Sequence, residues 1–212
     1  MHGDTHRRRL VVSGVMTPEI VLDINSDSSR NDYPIEVSIA DVSAGKVHSW
    51  LVRPSANRLC DSQDAEDRKL RGLSKNAFEN GETASKVTRE ILRVLEGRRV
   101  VSNDIARDSV ARLFAAAHMP SPVFYSAKAD DIFATMARIV GRPKNSFEEV
   151  LRFRTAVCDR SAAGNAAGCA AVIELVLGNE EIDRDRIERV FGIWGDRARK
   201  PSPWRMKLSR LV

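Results

Sequence analysis

The side chains whose types and spacing could do chemistry lie in three separated segments: Asp23 and Asn25, then Asp108, then Arg160 and Asn165. Carboxylates gathered from separate segments can hold two divalent cations ~4 Å apart, which activate a water molecule and stabilise a leaving oxygen. Magnesium prefers hard, anionic oxygen ligands in near-octahedral geometry. Two of the five positions hold amides and one holds a cation, so the set suits metal-assisted hydrolysis only in part.

Each segment needs an element that positions it. Residues 20–25 form an apolar run typical of a buried strand, and the two-residue period of a strand puts positions 23 and 25 on one face. Residues 98–102 predict another strand, which Asn103 separates from a helix that begins at or near Asp108. Residues 159–165 lie at the head of an alanine-rich helix. Helices from later in the chain can therefore bring polar side chains to the first strand.

The rest of the chain predicts a mixed sheet flanked by helices. Residues 35–40 alternate apolar with polar or small side chains, as a half-buried strand does, and residues 43–45 have hairpin chemistry. Strands are predicted at residues 19–25, 33–42, 46–53, 98–102 and 122–126. Helices are predicted at residues 83–96, 108–118, 129–140, 145–155, 161–177 and 182–191. Three antiparallel strands followed by βα units predict an α/β protein with a five-stranded mixed sheet.

Length and composition fit one domain with two appendages. Of the 212 residues, 1–17 are predicted to be a flexible arm, 18–178 the domain, and 179–212 a short helix and a basic tail. No apolar stretch approaches the ~20 residues that span a bilayer, and the N-terminus lacks the pattern of a signal peptide, so a cytoplasmic protein with no membrane partner is expected. The cysteines match neither a zinc spacing nor a disulfide framework and predict reduced, buried side chains at Cys60, Cys158 and Cys169.

Positive charge is concentrated near the two ends of the chain. The formal net charge is +5, which permits a nucleic-acid partner without requiring one. Basic residues of the C-terminal part could contact phosphates and gain by counterion release, and they are Arg197, Arg199, Lys200 and Arg205. A solvated tail accounts for them equally well. Trp194 and Trp204, in the same region, could stack on exposed bases or anchor the tail to the domain.

The order and spacing of the three segments resemble the DEDDh family of 3′–5′ exonucleases, which have an RNase H-like fold. The resemblance covers roughly residues 18–178 and implies the five-stranded mixed sheet predicted above. It also implies that four positions correspond to the family's metal-binding acids, namely Asp23, Asn25, Asp108 and Asn165. Arg160 then stands at the position of the family's general-base histidine.

At the positions matched to the family, this chain has too little negative charge to balance two divalent cations. The family sets four carboxylates against two Mg²⁺ ions, whereas this chain supplies Asp23 and Asp108 together with the cation Arg160, a local charge of −1. At most one weakly held Mg²⁺ or Mn²⁺ is therefore expected, or none. An arginine stays protonated and cannot take a proton from water. Arg160 could instead form a structural ion pair with the acids or bind a phosphate in a bidentate contact.

These observations predict an exonuclease-like protein with a degenerate two-metal site, catalytically impaired, which binds a single-stranded nucleic-acid 3′ end or a nucleotide phosphate. One alternative is an active metal-dependent 3′–5′ exonuclease with rearranged ligands, drawn from the neighbouring acids Glu36, Asp104 and Asp159. Another is a protein-interaction scaffold on the same fold. Many members of the family dimerise, so the resemblance also implies a homodimer.

Overall fold

The computed structural model describes residues 18–27, 33–53, 80–102, 104–122, 129–158 and 161–199. Within these ranges four strands form one mixed sheet, and they are β1 (Ile20–Asp27), β2 (Tyr33–Asp41), β3 (Lys46–Leu51) and β4 (Val100–Ser102). The strand order is β3-β2-β1-β4; β1 and β3 are each antiparallel to β2, and β4 is parallel to β1. The predicted α/β class and mixed sheet are confirmed. Of the fifth strand predicted at residues 122–126, all but Pro122 lies outside the described residues, and Pro122 is not in a strand.

Six helices follow or separate the strands in the described residues. They are α1 (Ala84–Leu95), α2 (Asp104–Ala116), α3 (Ala129–Ile139), α4 (Lys144–Val157), α5 (Ala162–Leu177) and α6 (Arg184–Arg199). None of the described helices is both long and apolar enough to cross a membrane. Two differ from the prediction, because α2 begins one turn earlier than expected and α6 extends to Arg199 rather than ending near residue 191.

The greater length of α6 has a clear physical reason. Its buried side chains, which include Ile187, Val190, Phe191 and Trp194, recur at the three- and four-residue spacing of one helical face. Gly192 and Gly195 lie within this helix, where two glycines do not outweigh the apolar face that the helix buries. The basic residues at positions 197 and 199 therefore belong to a helix of the domain and not to a tail.

The sheet separates two apolar cores, because successive residues of a strand face opposite sides. On one side, here called the α5 face, Val21, Ala40 and Val101 pack with α3, α4, α5 and α6. On the other, the α1–α2 face, the sheet residues include Ile20, Leu22 and Ile24, and they pack with α1 and α2. α5 is buried along most of its length, and its small side chains let it lie close against the sheet.

A buried ion pair joins the β2–β3 hairpin to the start of β4. The Arg98 guanidinium donates from Nη1 to Asp41 Oδ2 and from Nη2 to Asp41 Oδ1, each at 2.6 Å. The same carboxylate accepts from the Ala44 backbone N–H at 2.8 Å. Burial alone raises the pKa of Asp41, but the hydrogen bonds from Arg98, Ala44 and Ser43 outweigh it and lower that pKa to about 2. The hairpin turn predicted at residues 43–45 is present, with Gly45 at a φ of 61°.

Candidate functional site

A patch of polar side chains lies buried at the centre of the α5 face, where an apolar core would be expected. The strand register places its members side by side, since Asp23 on β1 opposes Ser38 on β2, which opposes Ser49 on β3. In the next row, Asn25 opposes Glu36. This polar patch consists of Asp23, Asn25, Glu36, Ser38 and Ser49. Asp23 is 5% exposed and Glu36 is 4% exposed, so both acids need polar partners.

Glu36 accepts hydrogen bonds at both oxygens of its carboxylate. Oε1 accepts from the Ser49 hydroxyl at 3.2 Å, and the Ser38 hydroxyl in turn donates to Ser49 at 3.0 Å. Oε2 accepts from the Ala162 backbone N–H at 3.0 Å and, more weakly, from Asn25 Nδ2 at 3.5 Å. Glu36 thus supplies a negative charge and an acceptor to the first turn of α5, where the helix dipole favours an anion.

The start of α5 is fixed by two further local contacts. Ser161 is the N-cap residue, and its hydroxyl accepts from the Gly164 backbone N–H at 2.9 Å. One turn further along, Asn165 faces the sheet. Ser161 and Glu36 together therefore hold the head of α5 directly over β1 and β2, with Asn165 above the polar patch.

Asn165 joins the third sequence segment to the first. Its Nδ2 donates to Asp23 Oδ2 at 3.2 Å, between residues 142 positions apart in the chain. The amide nitrogen faces the carboxylate because a carboxylate only accepts hydrogen bonds, whereas the amide oxygen would repel it. The amide hydrogen therefore occupies a lone pair of Asp23 on the side facing α5. Asp23 and Asn165, two of the residues singled out from the sequence, are in direct contact.

The second segment contacts β1 through Ser109, the neighbour of the predicted ligand Asp108. Asp108 is exposed on α2. Its neighbour Ser109 is buried, and the Ser109 and Ser26 hydroxyl oxygens lie 2.6 Å apart. Ser109 therefore faces β1, and the ligand role that the resemblance implies for Asp108 stays a prediction.

Several of the residues named from the sequence fall outside what the structure describes. These are Asp159, Arg160, Lys200 and Arg205, together with the side chain of Asp104, whose backbone begins α2. Among the described residues no group of three or more His, Cys, Asp or Glu side chains is arranged to hold a metal ion. The described part of the polar patch offers two carboxylates, Asp23 and Glu36, with amides and hydroxyls around them. The cation site stays a prediction.

The two described arginines of the predicted nucleic-acid set have partners within α6. The Arg197 guanidinium lies over the Trp194 ring, 4.6 Å from its centroid, and Arg199 Nη2 lies 2.7 Å from Asp196 Oδ1. Trp194 is 1% exposed and donates from Nε1 to Glu174 Oε2 at 2.7 Å. Of the two roles left open for Trp194, the structure shows anchoring to the domain. Phosphate contacts by the two arginines remain a prediction.

The described cysteines lie near the site but do not supply a reactive group to it. Neither Cys158 nor Cys169 is in a disulfide. Burial raises the pKa of the Cys169 thiol to about 12, although Arg154, whose Nη1 lies 3.7 Å from the sulfur, lowers it in part. Cys169 is therefore a protonated, unreactive thiol at neutral pH.

Three serines that sequence reasoning overlooked complete the arrangement, namely Ser38, Ser49 and Ser109. For Ser38 the signal was present, since the alternation along β2 puts it on the same face as Glu36. For Ser49 and Ser109 the local sequence carries no such signal, because their partners come from other elements.

Comparison with known proteins leaves the family open. No protein-family model matches the chain, and a search of curated proteins finds no match. The described residues define an α/β protein with a four-stranded mixed sheet, six helices and a buried polar patch beneath the head of α5. A function must therefore be argued from the geometry of that patch.

Proposed function

We propose that this chain is a 3′–5′ exonuclease-like protein, related to the RNase H-like DEDDh family, whose two-metal centre is degenerate. It binds a single-stranded nucleic-acid 3′ end or a nucleotide phosphate and hydrolyses it poorly or not at all. The observation that carries the proposal is the 3.2 Å hydrogen bond from Asn165 to Asp23. The resemblance requires these two positions to meet at one site, and nothing local in the sequence forces them together.

The architecture supports the same proposal. Three antiparallel strands followed by a strand parallel to β1 agree with the mixed sheet that the resemblance implies. β1, which carries Asp23 and Asn25, lies between β2 and β4 at the centre of the sheet. The head of a late helix, α5, covers this strand. A fold of this kind can present side chains from β1 and α5 to one ligand.

The hydrogen bonds of the patch favour impaired catalysis over catalysis with rearranged ligands. A metal at Asp23 on the side facing α5 would have to displace the hydrogen that Asn165 donates. Glu36 would have to release the Ala162 N–H and the Ser49 hydroxyl in order to bind a cation. Each hydrogen bond to a charged group contributes about 1.5–3 kcal/mol, so recruiting Glu36 as a metal ligand is costly.

The polar patch also limits where a phosphate can bind. The head of α5 is a natural anion site, but the Glu36 carboxylate already accepts from its first backbone N–H. A second anion at the same amide would meet like charge in a buried position. The proposed phosphate contact therefore needs a cation, and Arg160 is the one that the resemblance supplies, at the position of the family's general base.

The proposal is tested by rebuilding the acids. The triple variant Asn25→Glu, Asn165→Asp and Arg160→His should gain Mn²⁺-dependent release of mononucleotides from a labelled single strand, at least about ten-fold above wild type. Adding Asp23→Ala to the triple variant gives the matched control, which should lose the gain. A folded, metal-binding triple variant that stays inactive would overturn the exonuclease-like reading.

The wild-type protein separates the alternatives. We expect titration calorimetry to detect binding of a short single strand, with little or no uptake of Mg²⁺ or Mn²⁺. If the wild type hydrolyses the strand and Asp23→Ala abolishes this with the fold intact, the chain is an active enzyme with rearranged ligands. If it binds neither metal nor single strand at moderate salt, the scaffold reading replaces the proposal.

A further inference from the structure

Three aromatic side chains lie in a row on the α1–α2 face, away from the polar patch. Lys46, His48 and Trp50 alternate with residues that face α5, so these three share the other face of β3. Tyr33 on β2 belongs to the same face, where it and Trp50 pack at the edge of the apolar core. The aromatic row is defined here as Tyr33, His48 and Trp50.

The geometry of the row suits stacking. The His48 and Trp50 rings are stacked, with centroids 6.0 Å apart and planes inclined by 14°. All three side chains of the row are half-buried, so each is held by the sheet and still reaches solvent. Burial lowers the pKa of His48, which leaves its ring neutral at pH 7. Of the described helices, α5 and α6 pack most extensively against β3, and both lie on the opposite face.

Positive charge lies at one end of the row. Lys46 is exposed at the first residue of β3 and shares the face of the row. Arg53, beyond the other end of β3, follows Val52, which faces the α1–α2 core, so alternation turns Arg53 to the opposite face, and its Nε donates to the Gly81 carbonyl at 3.1 Å. The Tyr33 hydroxyl donates to the Arg53 carbonyl at 3.2 Å, which fixes the far end of the row. Rings beside a cation suit a single strand, since bases stack and a phosphate pairs with the cation.

We propose that the aromatic row is a stacking surface for the bases of a single-stranded nucleic acid, with Lys46 contacting a phosphate. The inference rests on the proposed function for the kind of partner, and adds a contact surface on the opposite face of the sheet from the polar patch. A protein partner or a second copy of this chain fits less well. The exposed large hydrophobic residues of the described chain, Ile139 and Ile193, lie on α3 and α6 and extend no apolar patch around the row.

The test measures binding of short fluorescein-labelled oligo-U and oligo-dT by fluorescence anisotropy. Trp50→Ala should weaken binding by roughly 5- to 150-fold, the range for loss of one stacked base, whereas Trp50→Phe should stay within about three-fold of wild type. Lys46→Ala should weaken binding and reduce the salt dependence by about one phosphate contact. Its control is Lys144→Ala, which removes an exposed lysine of α4, paired with Glu148, and should change neither quantity.

An abasic strand of the same charge separates stacking from simple charge attraction. Wild type should bind the abasic strand more weakly than oligo-dT, and Trp50→Ala should reduce that difference. Thermal unfolding shows whether Trp50→Ala is folded, and if it is not, His48→Ala and Lys46→Ala decide in its place. If the wild type binds and these folded variants bind equally well, the aromatic row is not a stacking surface, but the proposed function is unaffected. A wild type that binds no strand overturns both.

Discussion

Replacing Asn165 with aspartate tests the central contact of the site. The substitution keeps the size of the side chain but puts a second carboxylate where an amide now donates to Asp23 Oδ2 at 3.2 Å. Two like charges ~4 Å apart repel by about 4 kcal/mol at an effective dielectric constant near 20. Binding one proton at pH 7 relieves the repulsion but itself costs about 4 kcal/mol, so the charge pair cannot destabilise the folded protein by more than about that amount. With the lost hydrogen bond, and with screening at the half-buried Asn165, we expect a loss of about 3–5 kcal/mol at pH 7.

The loss should depend on pH in one direction. Folded Asn165→Asp holds a proton between its two carboxylates that the unfolded chain releases above about pH 4. Its stability relative to wild type therefore falls as the pH rises, by up to about 1.4 kcal/mol per pH unit between roughly pH 4 and pH 7. The control Asn165→Ala removes the hydrogen bond without adding charge, and should lose about 1–3 kcal/mol with no such slope.

Urea unfolding at several pH values, with and without Mn²⁺, measures both effects. Excess Mn²⁺ should restore about 1–3 kcal/mol to Asn165→Asp, because a cation can neutralise the new pair, and should leave wild type and Asn165→Ala unchanged. If Asn165→Asp is as stable as wild type at pH 7, the reasoning about this contact is wrong. A pH profile identical to that of Asn165→Ala would refute it equally.

Two further predictions concern the framework around the site. Asp41→Asn should lower the free energy of unfolding by about 2 kcal/mol at pH 7, because the ion pair with Arg98 lowers the pKa of Asp41 to about 2. That contribution is complete above about pH 4 and is lost as the pH falls toward 2, so acid titration of wild type and variant should converge there; parallel curves would contradict it. Gly168→Ala should destabilise, because an added Cβ would lie 2.0 Å from Cys158 Sγ, whereas the control Gly192→Ala meets no atom within 4 Å and should be neutral or stabilise by up to ~1 kcal/mol in thermal unfolding. Equal effects of the two glycine substitutions would show that helix propensity alone decides them.

The polar patch could be anticipated in part from the sequence. The two-residue period of a strand puts Asp23 and Asn25 on one face of β1, and the alternation along β2 puts Glu36 on one face of that strand. What the strands alone do not give is how they are paired. Only the register of β1 against β2 sets Glu36 opposite Asn25, and only the packing of α5 brings the Ala162 N–H to its carboxylate.

The phase of a helix is another property that local sequence leaves open. A helix beginning near Asp108 was expected, but α2 begins at Asp104, and Ser109 rather than Asp108 faces β1. Neighbouring helical residues point about 100° apart, so the packing of α2 against the sheet, and not its first residue, decides which side chain meets β1. In α6 the apolar spacing continues to Trp194 across two glycines, so the helix is longer than the predicted segment that ended at residue 191.

The sequence by itself determined the α/β class, the hairpin at residues 43–45, the positions of most helices and the polar positions on β1, because these follow from periodicity and turn chemistry within short windows. Tertiary structure alone decided three hydrogen bonds: from Asn165 to Asp23 across 142 residues, from the Ala162 N–H at the head of α5 to Glu36, and from the buried Trp194 to Glu174. Such contacts form because buried polar groups must find partners as separate elements pack, and the partner can come from any part of the chain.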